Sequence, residues 1–108
     1  LEDLARRARG SQFSIDDLRG GTFTISNLGA VGGTYSTPII NAPEVAILGV
    51  SRSVHKPVYQ DGSFVPRLMM PLSLSYDHRV IDGAAAVRFT SFLAAALNNV
   101  DGLLRAIP

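Results

Sequence analysis

The sequence predicts a single domain of mixed α/β class. Three observations carry that prediction. Polar and apolar residues alternate from Thr22 to Leu28, a continuous apolar run spans Val45 to Val50, and a long apolar helix pattern covers Asp82 to Asn98. At 108 residues the chain is one domain at most. Its 46% hydrophobic content and mean hydropathy of +0.20 are high for that length, because small domains bury a smaller fraction of their surface than large ones. Part of the surface is therefore expected to be covered by further copies of the chain, by chain outside it, or by both. The opening Leu1 in place of methionine leads to the expectation of a processed or partial chain.

Taken in order, residues 1–9 read as the end of an amphipathic helix, with Leu1, Leu4, Ala5 and Ala8 on one face. Glu2 and Asp3 come first and Arg6, Arg7 and Arg9 last, the order the helix dipole favours, and Gly10 stops it. The arginines are expected on a solvated face. Ser14-Ile15-Asp16-Asp17 predicts one or two helical turns ended by Gly20-Gly21. Thr22 to Leu28 predicts a half-buried strand, with Thr22, Thr24 and Ser26 on the polar side and Phe23 and Ile25 on the other. Gly29 to Pro43, with Gly32-Gly33, Pro38 and Pro43, reads as a long loop with a short extended piece near Ile39-Ile40.

Val45 to Val50 predicts a strand covered on both faces. Ser53 to Tyr59 and Phe64 to Tyr76 predict two more strands, joined by Gln60-Asp61-Gly62-Ser63 as a hairpin turn. In the second of them Leu68, Met70, Leu72, Leu74 and Tyr76 share one face, opposite Arg67, Met69, Ser73 and Ser75. The helix from Asp82 to Asn98 is apolar nearly all round, from Ala84 through Val87, Phe89 and Phe92 to Leu97, which predicts burial. Val100 to Ile107 predicts a terminal turn or short helix.

The composition excludes several classes of function. Ten basic and nine acidic residues leave a net charge of +1, with no electrostatic footprint for nucleic acid or membrane. The absence of cysteine removes disulfides, thiolate metal sites and a cysteine nucleophile. No signal-peptide pattern opens the chain, and no apolar run approaches the roughly 18 residues of a membrane span.

The densest chemistry lies in Asp77-His78-Arg79-Val80-Ile81-Asp82-Gly83, between the last strand and the long helix. His78 can take and return a proton near neutral pH. Asp82, four residues on, suits two compatible roles: helix N-cap and brace of the histidine loop. Asp77 and Arg79 suit a local or intersubunit ion pair, and His78 taken alone also suits a structural histidine. His55, the other histidine, sits in an ordinary hairpin context. A metal reading on Asp77, His78 and Asp82 lacks a second histidine at helical spacing. A serine-hydrolase reading lacks the G-x-S-x-G elbow.

The seven-residue run resembles the DHRxxDG signature of the dihydrolipoamide acyltransferases, the core components of 2-oxoacid dehydrogenase complexes. Gly21 to Gly29 is similar to that family's GTFTISNLG segment, and Thr37 to Val50 to its TPIINAPEVAILGV segment. Pro66 to Tyr76 leads into the histidine as the family's last long strand does. The resemblance covers essentially the whole chain. The segments after Ile40 look most like the acetyl-transferring, pyruvate-complex branch, and branched-chain and succinyl versions share the motif.

The resemblance implies a chloramphenicol-acetyltransferase-like fold, an α+β two-layer sandwich. Residues 1–108 would be the C-terminal part of the catalytic domain, with the lipoyl and subunit-binding domains lying elsewhere. By that resemblance His78 is the general base toward the thiol of coenzyme A or dihydrolipoamide, Ser26 donates to the oxyanion, and Asp82 orders the histidine loop. His78 and Ser26 would meet across a trimer interface, with Ser73 and Ser75 as rival donors. Coenzyme A is implied as substrate, and the lipoyl group would come from another domain. The implied partners are a homotrimer within a larger core, the dehydrogenase subunits and the lipoyl domain. The implied location is the bacterial cytoplasm, or the mitochondrial matrix in a eukaryote.

Two other readings stand beside this one. In the first, the chain is an assembly module that does not turn over substrate, which fits its excess of apolar residues. In the second, it belongs to another acyltransferase of the same fold acting on a small amine or alcohol, against which the DHRxxDG form stands in place of HHxxxDG.

Overall fold

A computed structural model of the chain describes residues 1–107. The elements run α1 (Glu2–Arg9), a 3-10 turn (Asp16–Leu18), β1 (Thr24–Asn27), β2 (Ala46–Val50), β3 (Val54–Gln60), β4 (Ser63–Met69), β5 (Leu72–Tyr76), α2 (Gly83–Leu97) and α3 (Val100–Ala106). The architecture is mixed α/β, as the patterning predicts.

A three-stranded sheet in the order β1-β2-β5 forms the centre. β2 lies parallel to β1 and antiparallel to β5. Its Ala46, Ile47, Leu48 and Gly49 are buried, which is why this stretch reads as a continuous apolar run instead of alternating. Cross-strand register groups Ile25, Leu48 and Leu74 on one face and Ser26, Gly49 and Ser73 on the other. Helix α2 lies against the first face, where Phe89 meets Phe23 with ring centroids 5.9 Å apart. The loop before β2 covers the second. A Cβ on Gly49 would overlap Ser36 Oγ and press on Pro38, so this close approach requires glycine.

The hairpin β3-β4 forms as its turn signal predicts. Gln60 pairs with Ser63 across a two-residue turn, with Asp61 at φ 52° and Gly62 at φ 86°. Two consecutive positive φ angles match the right-handed twist of the flanking strands. Among the described residues this hairpin packs against no other helix or strand. Near the start of the chain, Ser14 and Asp17 cap each other. The Ser14 N–H donates to Asp17 Oδ2 at 2.9 Å and the Asp17 N–H to Ser14 Oγ at 3.3 Å. Arg7 of α1 then binds Asp17 at 2.6 Å. The Ser14 amide and the Arg7 guanidinium hold the Asp17 carboxyl below its ordinary pKa.

Three expectations are corrected. First, Phe64 to Tyr76 is two strands in two sheets, broken at Met70-Pro71. Pro71 has no N–H for a ladder, and its carbonyl instead accepts from the Ser51 N–H at 3.1 Å. Leu68 and Met70 therefore do not continue the face of Leu72, Leu74 and Tyr76. Second, the faces of β1 are reversed in coverage: Thr24 and Ser26 are half-buried, whereas Ile25 is 64% exposed. Helix α2 packs on β5 and, on the edge-strand side, meets only Phe23 just ahead of β1, leaving Ile25 uncovered. Third, α2 is not buried. Among the described residues only Ala86 is fully covered, and Val87 and Phe92 are 63% and 75% exposed, because β5 and the short α3 are the only elements that pack on the helix.

The dimensions express the same shortage of cover. The chain exposes 8635 Å², whereas a compact monomer of 11.5 kDa exposes about 5,800 Å² by size scaling. The radius of gyration is 16.7 Å, against about 13 Å for a compact domain of this length.

Candidate active site

His78 stands at the junction between β5 and α2, and its loop is fixed by three sets of local bonds. At the entrance, the Asp77 N–H donates to the Val45 carbonyl at 2.8 Å, extending the β2–β5 pairing by one step. Inside the loop, the N–H groups of Val80 and Ile81 donate to the Asp77 carbonyl at 3.0 and 2.9 Å. At the exit, Asp82 caps α2, its carboxylate accepting from the Ala85 N–H at 2.7 Å. This is the N-cap role that an aspartate directly before an apolar helix suggests.

Asp77 and Arg79 form a local ion pair. The Arg79 Nε and Nη2 donate to the two carboxylate oxygens at 3.0 and 2.9 Å, and the Arg79 N–H adds a third bond at 3.0 Å. The guanidinium first, and the backbone N–H second, lower the Asp77 carboxyl from 3.8 to about 2. The same pairing raises the Arg79 pKa. Arg79 is itself 90% exposed, so the pair serves to fix the loop and adds little net Coulomb stabilisation.

The imidazole of His78 is exposed and leans on Tyr76, with ring centroids 5.4 Å apart. The Tyr76 hydroxyl in turn lies beside Gly83 at the start of α2. Tyr76 is a neighbour that the sequence reading assigns only to the apolar face of its strand. The signal for its contact with the histidine is the two-residue spacing, which in extended chain places both side chains on one side. An open cavity of about 440 Å³ adjoins His78, walled by Ile40, Pro43, Glu44, Val45 and Tyr76. A larger concavity of about 580 Å³ runs along α1 between Glu2, Asp3, Ala5, Arg6 and Arg9. One exposed helix forms it alone, and none of the candidate groups lies in it.

Ser26 is elsewhere. It lies on the half-buried face of β1, level with Gly49 and Ser73. The Tyr76 end of β5 is displaced from it by three residues along the strand and by two strand spacings, roughly 14 Å in all. The chain thus joins His78 and Asp82 in one loop and does not bring Ser26 to them. Of the rival donors, Ser73 shares the face of Ser26 across Gly49, and Ser75 the same face nearer the His78 end. Ser36, which sequence reasoning misses, also belongs to this neighbourhood. Its Oγ is buried against Gly49 without a hydrogen-bond partner among the described residues.

Among the described residues no three His, Cys, Asp or Glu side chains gather as a metal-ligand set. No helix among them is long and apolar enough to cross a membrane.

Comparison with known proteins places this geometry. Residues 1–105 match the family model of the 2-oxoacid dehydrogenase acyltransferase catalytic domain. The dihydrolipoyllysine-residue acetyltransferase component of the pyruvate dehydrogenase complex from Pseudomonas aeruginosa is 59% identical over 102 residues, which are 94% of this chain and 19% of that protein. A crystal structure of the Azotobacter vinelandii dihydrolipoamide acetyltransferase superposes with a TM-score of 0.90 at 56% identity, covering 95% of this chain and 42% of the solved one. The cubic core of a pyruvate dehydrogenase multienzyme complex gives the same TM-score at 55% identity, again over 42% of its chain. The present chain thus spans less than half of the solved relatives it matches. The chain belongs to the acyltransferase catalytic-domain family of the 2-oxoacid dehydrogenases.

Proposed function

We propose that the chain is the C-terminal part of a dihydrolipoamide acetyltransferase catalytic domain. In this reading the domain has the chloramphenicol-acetyltransferase-like fold and moves an acetyl group between a dihydrolipoyl sulfur and coenzyme A. The observation that carries the reading is the His78 junction: an exposed imidazole on a loop bonded at entrance, interior and exit, at the rim of an open cavity. The Azotobacter vinelandii study concerns the role of a serine, a histidine and an asparagine in the catalytic mechanism. That histidine follows the serine by 52 residues and precedes the asparagine by four, the spacings of Ser26, His78 and Asp82. An amide and a carboxylate cap a helix about equally well, so Asp82 can do by capping what an asparagine does.

The chemistry follows from the groups. A free thiol has a pKa near about 8.5, so little of it is thiolate at neutral pH. His78 accepts the coenzyme A thiol proton as the sulfur attacks the thioester carbonyl of the acetylated dihydrolipoyl group. The carbonyl oxygen gains negative charge and takes a hydrogen bond from Ser26 Oγ. The intermediate then collapses, the carbon–sulfur bond to the dihydrolipoyl group breaks, and the departing sulfur receives the proton from His78. The base contributes on the order of 10²–10⁴-fold.

The roughly 14 Å between Ser26 and the His78 end of the sheet fits a site shared between neighbouring subunits of a trimer. The bare side of α2 and the excess surface fit a chain covered by the rest of its domain and by those neighbours. One solved relative is a cubic core, and the proposal extends to a trimer-based core that receives a lipoyl domain and binds the dehydrogenase subunits, in the bacterial cytoplasm. The test is transfer between acetyl-coenzyme A and dihydrolipoamide, followed on the complete catalytic domain carrying this chain. His78→Ala is expected to lower kcat by roughly 10²–10⁴-fold. An unchanged rate would refute the general-base assignment.

A further inference from the structure

We propose that Glu44 is a positioning residue that couples the Ser26 strand to the His78 loop, an inference that rests on the acyl-transfer reading above. The Thr24 hydroxyl donates to Glu44 Oε1 at 2.5 Å, across twenty residues of sequence and between two half-buried side chains. Thr24 lies two residues before Ser26 on the same face of β1. Gly21, just ahead of that strand, leaves room for the other carboxylate oxygen: a Cβ there would stand 3.0 Å from Glu44 Oε2. The next residue, Val45, gives its carbonyl to the Asp77 N–H, the bond that begins the histidine loop. Glu44 also walls the His78 cavity on one side and, on the other, a second cavity of about 390 Å³ bounded by Leu18, Arg19, Gly20 and Gly21.

The need for such a link follows from the topology. β1 is a four-residue edge strand whose one ladder is to β2. Among the described residues, Thr24–Glu44 is the one side-chain hydrogen bond that ties β1 to another segment. A hydroxyl bonded to a carboxylate is short and about twice as strong as a neutral pair. It sets the tilt of β1, and with it the direction of Ser26 Oγ, against the segment on which the histidine loop is anchored. A misplacement of about 1 Å at an oxyanion donor costs up to roughly 10²-fold in rate.

The test uses the complete catalytic domain and reads kcat, the KM for coenzyme A and the melting temperature. Thr24→Val and Glu44→Ala are each expected to lower kcat by roughly 10-fold, with KM within twofold. Thr24→Ser and Glu44→Gln, which keep a donor and an acceptor, restore most of the rate. The double variant Thr24→Val/Glu44→Ala is expected to be no slower than either single variant, because both remove one bond. The proposal is overturned by an unchanged kcat in Thr24→Val, by rate losses that multiply in the double variant, or by a loss explained entirely by a lowered melting temperature. His78→Ala in the same assay separates the two claims. If that variant loses activity while the Glu44 series does not, only the positioning role fails; if it keeps activity, the acyl-transfer site itself is misassigned.

Discussion

The His78 junction and the Ser26 strand are the two arms of the proposed site, and they are built in different ways. The junction is held by bonds within the nine residues from Asp77 to Ala85, plus a single anchor to Val45. β1 has a ladder on one side, a carboxylate twenty residues away, and an apolar face left largely uncovered. The proposed proton-transfer group thus sits on a locally determined loop. The proposed oxyanion donor sits on a strand whose placement depends on distant segments. The backbone that carries the imidazole is set mainly by near neighbours in the chain, whereas that of Ser26 is set by segments distant in sequence.

That contrast breaks most sharply at Ser26. Ser26→Ala is expected to lower kcat on the order of 10²–10³-fold if it supplies the oxyanion donor, while Ser73→Ala on the same face stays within twofold. The reverse outcome, read in the same thioester-transfer assay, would move the donor to β5. A smaller effect sharpens the other arm. Asp82→Ala removes the cap of α2 and should destabilise the domain by about 1 kcal/mol in urea unfolding, whereas Asp82→Asn should fall within a few tenths. A large loss in Asp82→Asn would mean that the carboxylate charge, and not the cap, holds the loop.

The smallest effect concerns Asp77. Its carboxyl is depressed from 3.8 to about 2 by Arg79, so its contribution is present above the ordinary carboxylate range and is lost as pH falls toward 2. Asp77→Asn should lower thermal stability slightly above about pH 4 and converge with the parent as pH falls toward 2, so that its acid limb is flatter. An acid limb identical to that of the parent would show that the ion pair is not what holds this loop.

Much of the local structure was legible because it is written at short range. The Asp61-Gly62 turn, the Ser14–Asp17 reciprocal cap, the Asp82 cap and the Asp77–Arg79 pair each join residues at most three apart, and each forms as its residue types require. The break at Met70-Pro71 was also written there, in the missing N–H of Pro71, but the alternation of Leu68, Met70 and Leu72 masks it. The Tyr76–His78 contact was signalled by its two-residue spacing, but the close approach of Ser36 to Gly49 and the Thr24–Glu44 bond were not legible as contacts, since each depends on which segment lies over which.

The sequence by itself determined the class of the fold, the element types and the makeup of the histidine loop, because short-range sterics, capping and hydrophobic period act between neighbours in the chain. Only the tertiary structure decided which face of β1 is covered, that α2 keeps one side bare, and that Ser26 and His78 lie apart in one chain. Those outcomes depend on burial, which counts the area that distant segments remove from water. No window of sequence contains that quantity.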